Sequence, residues 1–334
     1  MHHKNNRKII KDKIKEAFSK WYIQAGLLLF TLFLYLITSQ PINVIFAFLI
    51  VVEILAMVTI EVKEGAKQYG WKHEAFDTVI ALAIAIAIWY GASFILNTSS
   101  PISAVVSCSM LPNLQRGDFV IVQGIDNQAY EIKLTKKEFE DLSKDAFIIF
   151  NNLTRQVKGS FYSYCAFIPD DLCEEFVKDP EKLIEQKGPF RFYYTTCKLN
   201  AIDNQEAKTT TCLKGVEYKG TLYKPNISND ITVYTPEKDE IYSLSGDIVH
   251  RSYFKLDVEG KTYYLTKGDN NQILDIQVYD FRSQPASNKP VSADRIKGKV
   301  ILRIPYLGFF KLFISGFFQE PSQCKTVLEY EYVN

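Results

Sequence analysis

The stretch 248–269, IVHRSYFKLDVEGKTYYLTKGD, sets the class of fold. Apolar, aromatic and β-branched residues fill both halves and Glu259-Gly260 separates them, the pattern of two antiparallel strands joined by a two-residue turn. If Glu259 and Gly260 are the central turn residues, His250 lies directly across from Asp269. An acid would then face a histidine, although a slip of one residue would turn one of the two side chains away.

Working outward, FVIVQGI (119–125) follows the turn Arg116-Gly117-Asp118, and KVILRIPYL (299–307) closes the domain. Short strands and turns of this kind predict a mostly β domain over residues 99–320, followed by a tail, 321–334. Residues 131–240 read differently. They hold a charged helical segment, KLTKKEFEDLSKDAF, several aromatic runs, and the cluster Cys165, Cys173, Cys197 and Cys212. This segment is expected to be a disulfide-stapled insertion rather than part of the core, with all three pairings of its cysteines open. No CxxC spacing points to a zinc knuckle, and no metal or cofactor is expected.

The long apolar runs lie before residue 98. Residues 21–37, 42–60 and 78–96 each approach the length of a spanning helix, which predicts a three-helix membrane anchor over 21–98. Lys and Arg concentrate in residues 1–20 and in the loop 61–77, and the loop between the first two spans has none. The N-terminus is therefore expected in the cytoplasm and everything beyond residue 98 outside it, where disulfides persist. Asn97, Asn152 and Asn226 begin glycosylation triplets on that side. Glu53, inside the second span, reads as a helix-packing contact or a protonated acid rather than as a transport site. FFKLFISGFF (309–318) is too short to cross and reads either as an interfacial element or as part of the core.

Among 334 residues, 39 basic side chains balance 38 acidic ones for a net charge of +1, so nothing favours nucleic acid as a partner. The chemistry must come from a site. Ser107 and Ser109 sit just past the third span in AVVSCSMLPNLQRGDFVIVQ (104–123), and a serine needs a base to become a nucleophile. His2, His3 and His73 fall on the expected cytoplasmic side. Only His250 shares a compartment with Ser109, with Asp269 and Asp275 following it.

SCSMLPNLQRGD resembles the nucleophile box of type I signal peptidases, in which the serine before the methionine attacks; that serine is Ser109. IVHR followed by TKGDNN and an aspartate resembles the archaeal and endoplasmic-reticulum branch, in which histidine replaces the usual lysine base. This maps to His250, Asp269 and Asp275. Asn113 stands where the family usually has threonine, HRSYF replaces the commoner HRV, and an unusually long stretch separates the Gly-Asp turn from the histidine.

The resemblance implies a β peptidase domain on membrane helices that removes signal peptides from exported preproteins. Ser109 would attack, His250 would carry the proton, and Asp275 or Asp269 would orient the imidazole; the hairpin pairing favours Asp269 and the resemblance Asp275. Ser107 would donate to the oxyanion, and Met110 and Pro112 would shape a hydrophobic wall. The lipid bilayer, the translocon and accessory subunits are the further partners implied. Two other readings stand beside this one: an inactive β-domain subunit of an export or surface-assembly complex, and a maturation protease of narrow substrate range.

Overall fold

The computed structural model describes residues 20–38, 42–124, 126–151, 153–168, 170–202, 208–282, 286–317 and 319–330. Asn152, which begins one of the triplets, and the basic segment before residue 20 lie outside these residues. The chain divides into two compact units, one of residues 1–92 and 310–318, the other of residues 93–309 and 319–334.

The first unit is helical, with α1 (Trp21–Ile37), α2 (Ile42–Tyr69) and α3 (Trp71–Ile95). Where three spans were expected, one described helix, α3, is long and apolar enough to cross a membrane; α1 is apolar but shorter. The second helix does not stop near residue 60 but continues through the charged segment to Tyr69, and α3 starts seven residues earlier than hydropathy suggested. Charged residues lower hydropathy without breaking a helix, so apolar runs mark spans better than helix ends. No residue of α3 is buried within the protein, although Leu82, Ile88, Trp89 and Phe94 lie along it. Glu53 does have a packing partner: Thr31 Oγ1 on α1 donates to its Oε1 at 2.8 Å.

The second unit is mostly β, with its helices short. One eight-stranded sheet is built from β1 (Ile102–Ala104), β2 (Phe119–Gln123), β3 (Tyr130–Leu134), β10 (Ile231–Tyr234), β11 (Ile248–Val258), β12 (Lys261–Lys267), β15 (Val291–Ser292) and β16 (Ile296–Ile304). Its order is β1-β2-β16-β10-β11-β12-β15, antiparallel throughout except that β3 runs parallel to the far half of β11. A second sheet takes β4 (Ala146–Phe150), β5 (Leu153–Val157), β6 (Leu183–Lys187), β7 (Phe190–Ala201), β8 (Lys208–Tyr218), β9 (Thr221–Tyr223) and β17 (Thr326–Glu329). A small pair, β13 (Tyr279–Asp280) with β14 (Ala286–Ser287), lies beyond. Helix α4 (Lys136–Glu140) links β3 of the first sheet to β4 of the second, and α5 (Phe161–Phe167) and α6 (Asp171–Lys178) lie between β5 and β6; α7 (Phe309–Ile314), which falls in the segment expected to be interfacial or core, belongs almost wholly to the first unit.

The turn between β11 and β12 forms at Glu259 and Gly260 as expected. Both take positive φ, 52° and 83°, as a primed turn requires, and Gly260 N donates to Asp257 Oδ1 at 3.0 Å. The pairing expected from that turn holds only as far as Phe254, opposite Leu265. Tyr253 then bulges out, after which Ser252 pairs with Thr266 and Arg251 with Lys267. One inserted residue shifts every later partner, so His250 does not face Asp269.

Residues 131–240, expected to stand apart from the core, contribute to it. Phe161, Phe176, Phe190, Phe192 and Tyr194 from the second sheet and its helices share one core with Phe254, Leu256, Leu265, Leu274 and Ile276. At roughly 25 cal/mol per Å² of apolar surface, such fully buried aromatics make this shared core the main support of the unit. The cysteines pair as Cys165–Cys173 and Cys197–Cys212, and the two that stand apart in sequence, Cys108 and Cys324, bond to each other.

Candidate active site

His250 lies on β11, a strand paired on both sides, where it sits opposite Thr232 of β10. Its ring stands nearly perpendicular to the Tyr242 ring, with centroids 5.9 Å apart. Past β12 the chain turns through Gly268-Asp269-Asn270-Asn271 and enters a 3₁₀ turn, Asp275–Gln277. That return brings Asp275 beside the imidazole, with Nδ1 of His250 2.7 Å from Asp275 Oδ2. On the other side of the ring, Nε2 is 2.9 Å from Ser109 Oγ. Ser109, His250 and Asp275 are all nearly buried.

Tautomer logic assigns the protons. An ionised carboxylate only accepts, so Nδ1 carries the hydrogen and the neutral ring presents Nε2 as an acceptor. Ser109 Oγ then donates to Nε2, which leaves Ser107 to donate in the 3.1 Å contact between the two serine hydroxyls. The Asp275 carboxylate is well supplied with donors: Thr266 Oγ1 at 2.6 Å and Tyr234 OH at 3.2 Å on Oδ2, and Tyr242 OH at 3.4 Å on Oδ1. A buried charge persists only when it is hydrogen-bonded in this way. Burial and the negative charge of Asp275 push both tyrosine hydroxyls well above the usual phenol range, so they remain donors.

Asp269 takes a different place. Its carboxylate receives Arg251 Nε at 2.8 Å and Nη2 at 2.7 Å, a two-pronged pair, and Asn113 Nδ2 at 2.7 Å. Arg251 also donates through Nη1 to the carbonyls of Ile227 and Asn229. Asp269 thus ties β11 to the loop that carries Ser109. Asn113, the departure from the resembled motif, supplies one of these bonds.

That loop is held from behind. Asn270 N donates to the Ser109 carbonyl at 2.7 Å, and a Cβ on Gly268 would come within 2.7 Å of the same oxygen, so glycine is what the approach admits. Asn270 Nδ2 reaches the carbonyls of Cys108 and Thr326, at 3.1 and 2.9 Å, and its Oδ1 accepts from Leu328 N. The Cys108–Cys324 disulfide joins the same two segments covalently. Cys108 therefore lies in the bend just before Ser109. Met110 is buried in a small core with Val105, Leu114 and Val120, its Sδ accepting from Asp269 N, and Pro112 is exposed.

Sequence reasoning did not find Thr266, Tyr234 or Tyr242, because a hydroxyl donor to a carboxylate leaves no motif. Lys267 is a further buried group. Its Nζ donates to the Gly268 carbonyl at 2.9 Å and lies 4.0 Å above the Tyr330 ring. Burial lowers its pKa to about 7 against the opposing pull of Asp269 and Asp275. No cluster of metal-ligating side chains occurs among the described residues.

No protein-family model matches the chain, and no solved structure matches it. The chain is 23% identical over 224 residues to an uncharacterized protein of Methanocaldococcus jannaschii, across 65% of this chain and 85% of that protein. It is 37% identical over 71 residues to the signal peptidase complex catalytic subunit SEC11 of Leptosphaeria maculans, across 21% of this chain and 41% of the fungal subunit. One part of the chain is thus similar to a signal peptidase subunit, and the matched part is less than half of that subunit's length.

Proposed function

We propose that the protein is a membrane-bound serine endopeptidase that removes N-terminal signal peptides from exported preproteins. The observation that carries this reading is the continuous chain of hydrogen bonds from Ser109 Oγ through the His250 ring to Asp275. Ser109 attacks the scissile carbonyl while Nε2 of His250 takes its proton, and the same nitrogen later returns that proton to the leaving amine. The Asp275 carboxylate keeps the ring in the accepting tautomer and offsets the positive charge that forms on it. Asp269 has the supporting task of fixing the loop around Ser109.

The oxyanion requires donors pre-aimed at it, for which the Ser109 backbone N–H and the Ser107 hydroxyl are the candidates in this loop. The substrate is an extended segment whose small side chains enter shallow pockets and whose backbone pairs with a strand edge. Helix α3 ends at Ile95, a short stretch before Ser109, which suits a protease whose substrate is itself held in a bilayer by an apolar helix. We read α1 and the apolar first part of α2 as further spans, with the β unit on the extracytoplasmic side. The Thr31–Glu53 bond is the kind of polar pairing that helices in lipid need. Translocon components and accessory subunits are the further partners.

The test is a set of preprotein peptides varied at the residues one and three positions before the cleaved bond, incubated with the full chain in detergent. Cleavage that requires small residues at both positions supports the reading. Cleavage indifferent to them points to a serine peptidase of another specificity, and no cleavage of any preprotein rejects the activity.

A further inference from the structure

Asp275 is fixed by more than its own contacts. The turn that carries it ends at Gln277, which is fully buried and whose side-chain oxygen and nitrogen are both hydrogen-bonded. Gln277 Oε1 accepts from Leu274 N at 3.1 Å, closing the turn on itself. Gln277 Nε2 donates to Tyr194 OH at 2.7 Å and to Glu185 Oε1 at 3.2 Å. Its backbone carbonyl accepts from the hydroxyls of Ser160 and Ser163, the latter at 2.9 Å.

Every one of these outer partners belongs to the second sheet or the helix beside it. Glu185 on β6 and Tyr194 on β7 are fully buried, and Ser160 caps α5 by accepting from Ser163 N. Both oxygens of Glu185 are engaged, the other one accepting from Tyr194 OH at 2.6 Å and Phe161 N at 3.0 Å. A fully buried carboxyl group is costly in an aromatic core and persists only when its partners are in place. Burial pushes both the Glu185 carboxyl and the Tyr194 phenol upward.

We propose that Gln277 is a positioning residue for the Ser109–His250 pair, and that the segment 146–218 serves the site by gripping the Asp275 turn through Glu185, Tyr194, Ser160 and Ser163. This rests on the peptidase reading for its effect on rate, while its effect on geometry stands apart from it. The second sheet then has a function: it sets the distance between the carboxylate and the imidazole. Loss of the grip lets Asp275 drift, and His250 loses the hydrogen bond that holds its tautomer.

The experiment uses the full chain in detergent micelles, with histidine labelled by ¹⁵N and the His250 signal assigned by its loss in His250→Gln. Gln277→Met is expected to broaden or remove the His250 Nδ1–H resonance and to lower kcat by about 10- to 100-fold at unchanged KM. In an Asp275→Ala background, where nothing remains to be positioned, adding Gln277→Met should change kcat by less than about twofold. An unaltered Nδ1–H resonance, or the same fold-loss in the Asp275→Ala background, overturns the proposal. If Gln277→Met does not fold, Glu185→Gln, which sets one amide against another with little change of shape, carries the same cycle. If the wild type cleaves no preprotein, the peptidase reading fails and the resonance still decides the positioning claim.

Discussion

Asp275 and Asp269 make the sharpest contrast, because the same substitution should damage different properties at the two positions. Asparagine at 275 can keep its oxygen toward Thr266, Tyr234 and the His250 Nδ1–H, and turn its amide toward Tyr242. The ring then keeps its tautomer, and what disappears is the negative charge facing the imidazolium that forms during attack. With Nδ1 and Oδ2 2.7 Å apart, the charge centres lie about 4 Å from each other, worth about 4 kcal/mol at an effective dielectric constant near 20. That corresponds to about a 10³-fold loss of kcat. Asparagine at 269 instead leaves buried Arg251 without its counter-charge, which should cost about 3–5 kcal/mol of stability. In a unit of this size the melting temperature should fall by roughly 10 °C. The assay is preprotein cleavage at saturating substrate beside a thermal melt of each variant. The reasoning is refuted if Asp275→Asn retains turnover within about tenfold of wild type, or if Asp269→Asn loses turnover equally while melting as the wild type does.

Ser107→Ala should lower kcat by on the order of 10²-fold with KM and melting temperature unchanged, the pattern of a lost oxyanion donor; a rise in KM alone would place Ser107 in binding instead. Replacing both Cys108 and Cys324 with serine removes a link between residues 216 apart and should cost about 2–5 kcal/mol in denaturant melts, with turnover falling as the Ser109 loop loosens. Lys267 has a folded pKa of about 7, below its unfolded value, so between about pH 7 and pH 10.5 the unfolded chain holds a proton that the folded chain has lost. Stability contributed at this site should therefore rise with pH across that window. Lys267→Met should abolish the rise in melts compared at pH 7 and pH 9.5, and an identical pH dependence in both proteins would contradict the assignment.

What could be read from the sequence was set by how local its cause is. The Glu259-Gly260 turn and the strands on either side of it follow from neighbouring residues, and all three formed as expected. The bulge at Tyr253 has a distant cause: Tyr253 OH donates to the Tyr223 carbonyl of β9, and Asn229 Nδ2 donates to the Tyr253 carbonyl. No pattern within 248–269 carries that information, so the expected partnership of His250 and Asp269 gave way to His250 with Asp275. The resemblance to known peptidases pointed to Asp275, which a hairpin rule could not do. Residues 131–240 looked like a stapled insertion because four cysteines cluster there, and in the structure they pair locally. Their aromatic residues were legible as apolar but not as facing β11 and the Asp275 turn. In the same way Cys108 and Cys324 stood apart in sequence, and only the packing of the C-terminal segment behind the Ser109 loop unites them.

The central claim is that Ser109, activated by His250, cleaves exported preproteins. Its most direct measurement is the release of mature protein from a radiolabelled preprotein by membranes whose only peptidase of this kind is the full chain, wild type against Ser109→Ala. The account predicts that the wild type yields a single new N-terminus and that Ser109→Ala yields none above the uncatalysed background. Cleavage by Ser109→Ala at the wild-type rate would contradict it.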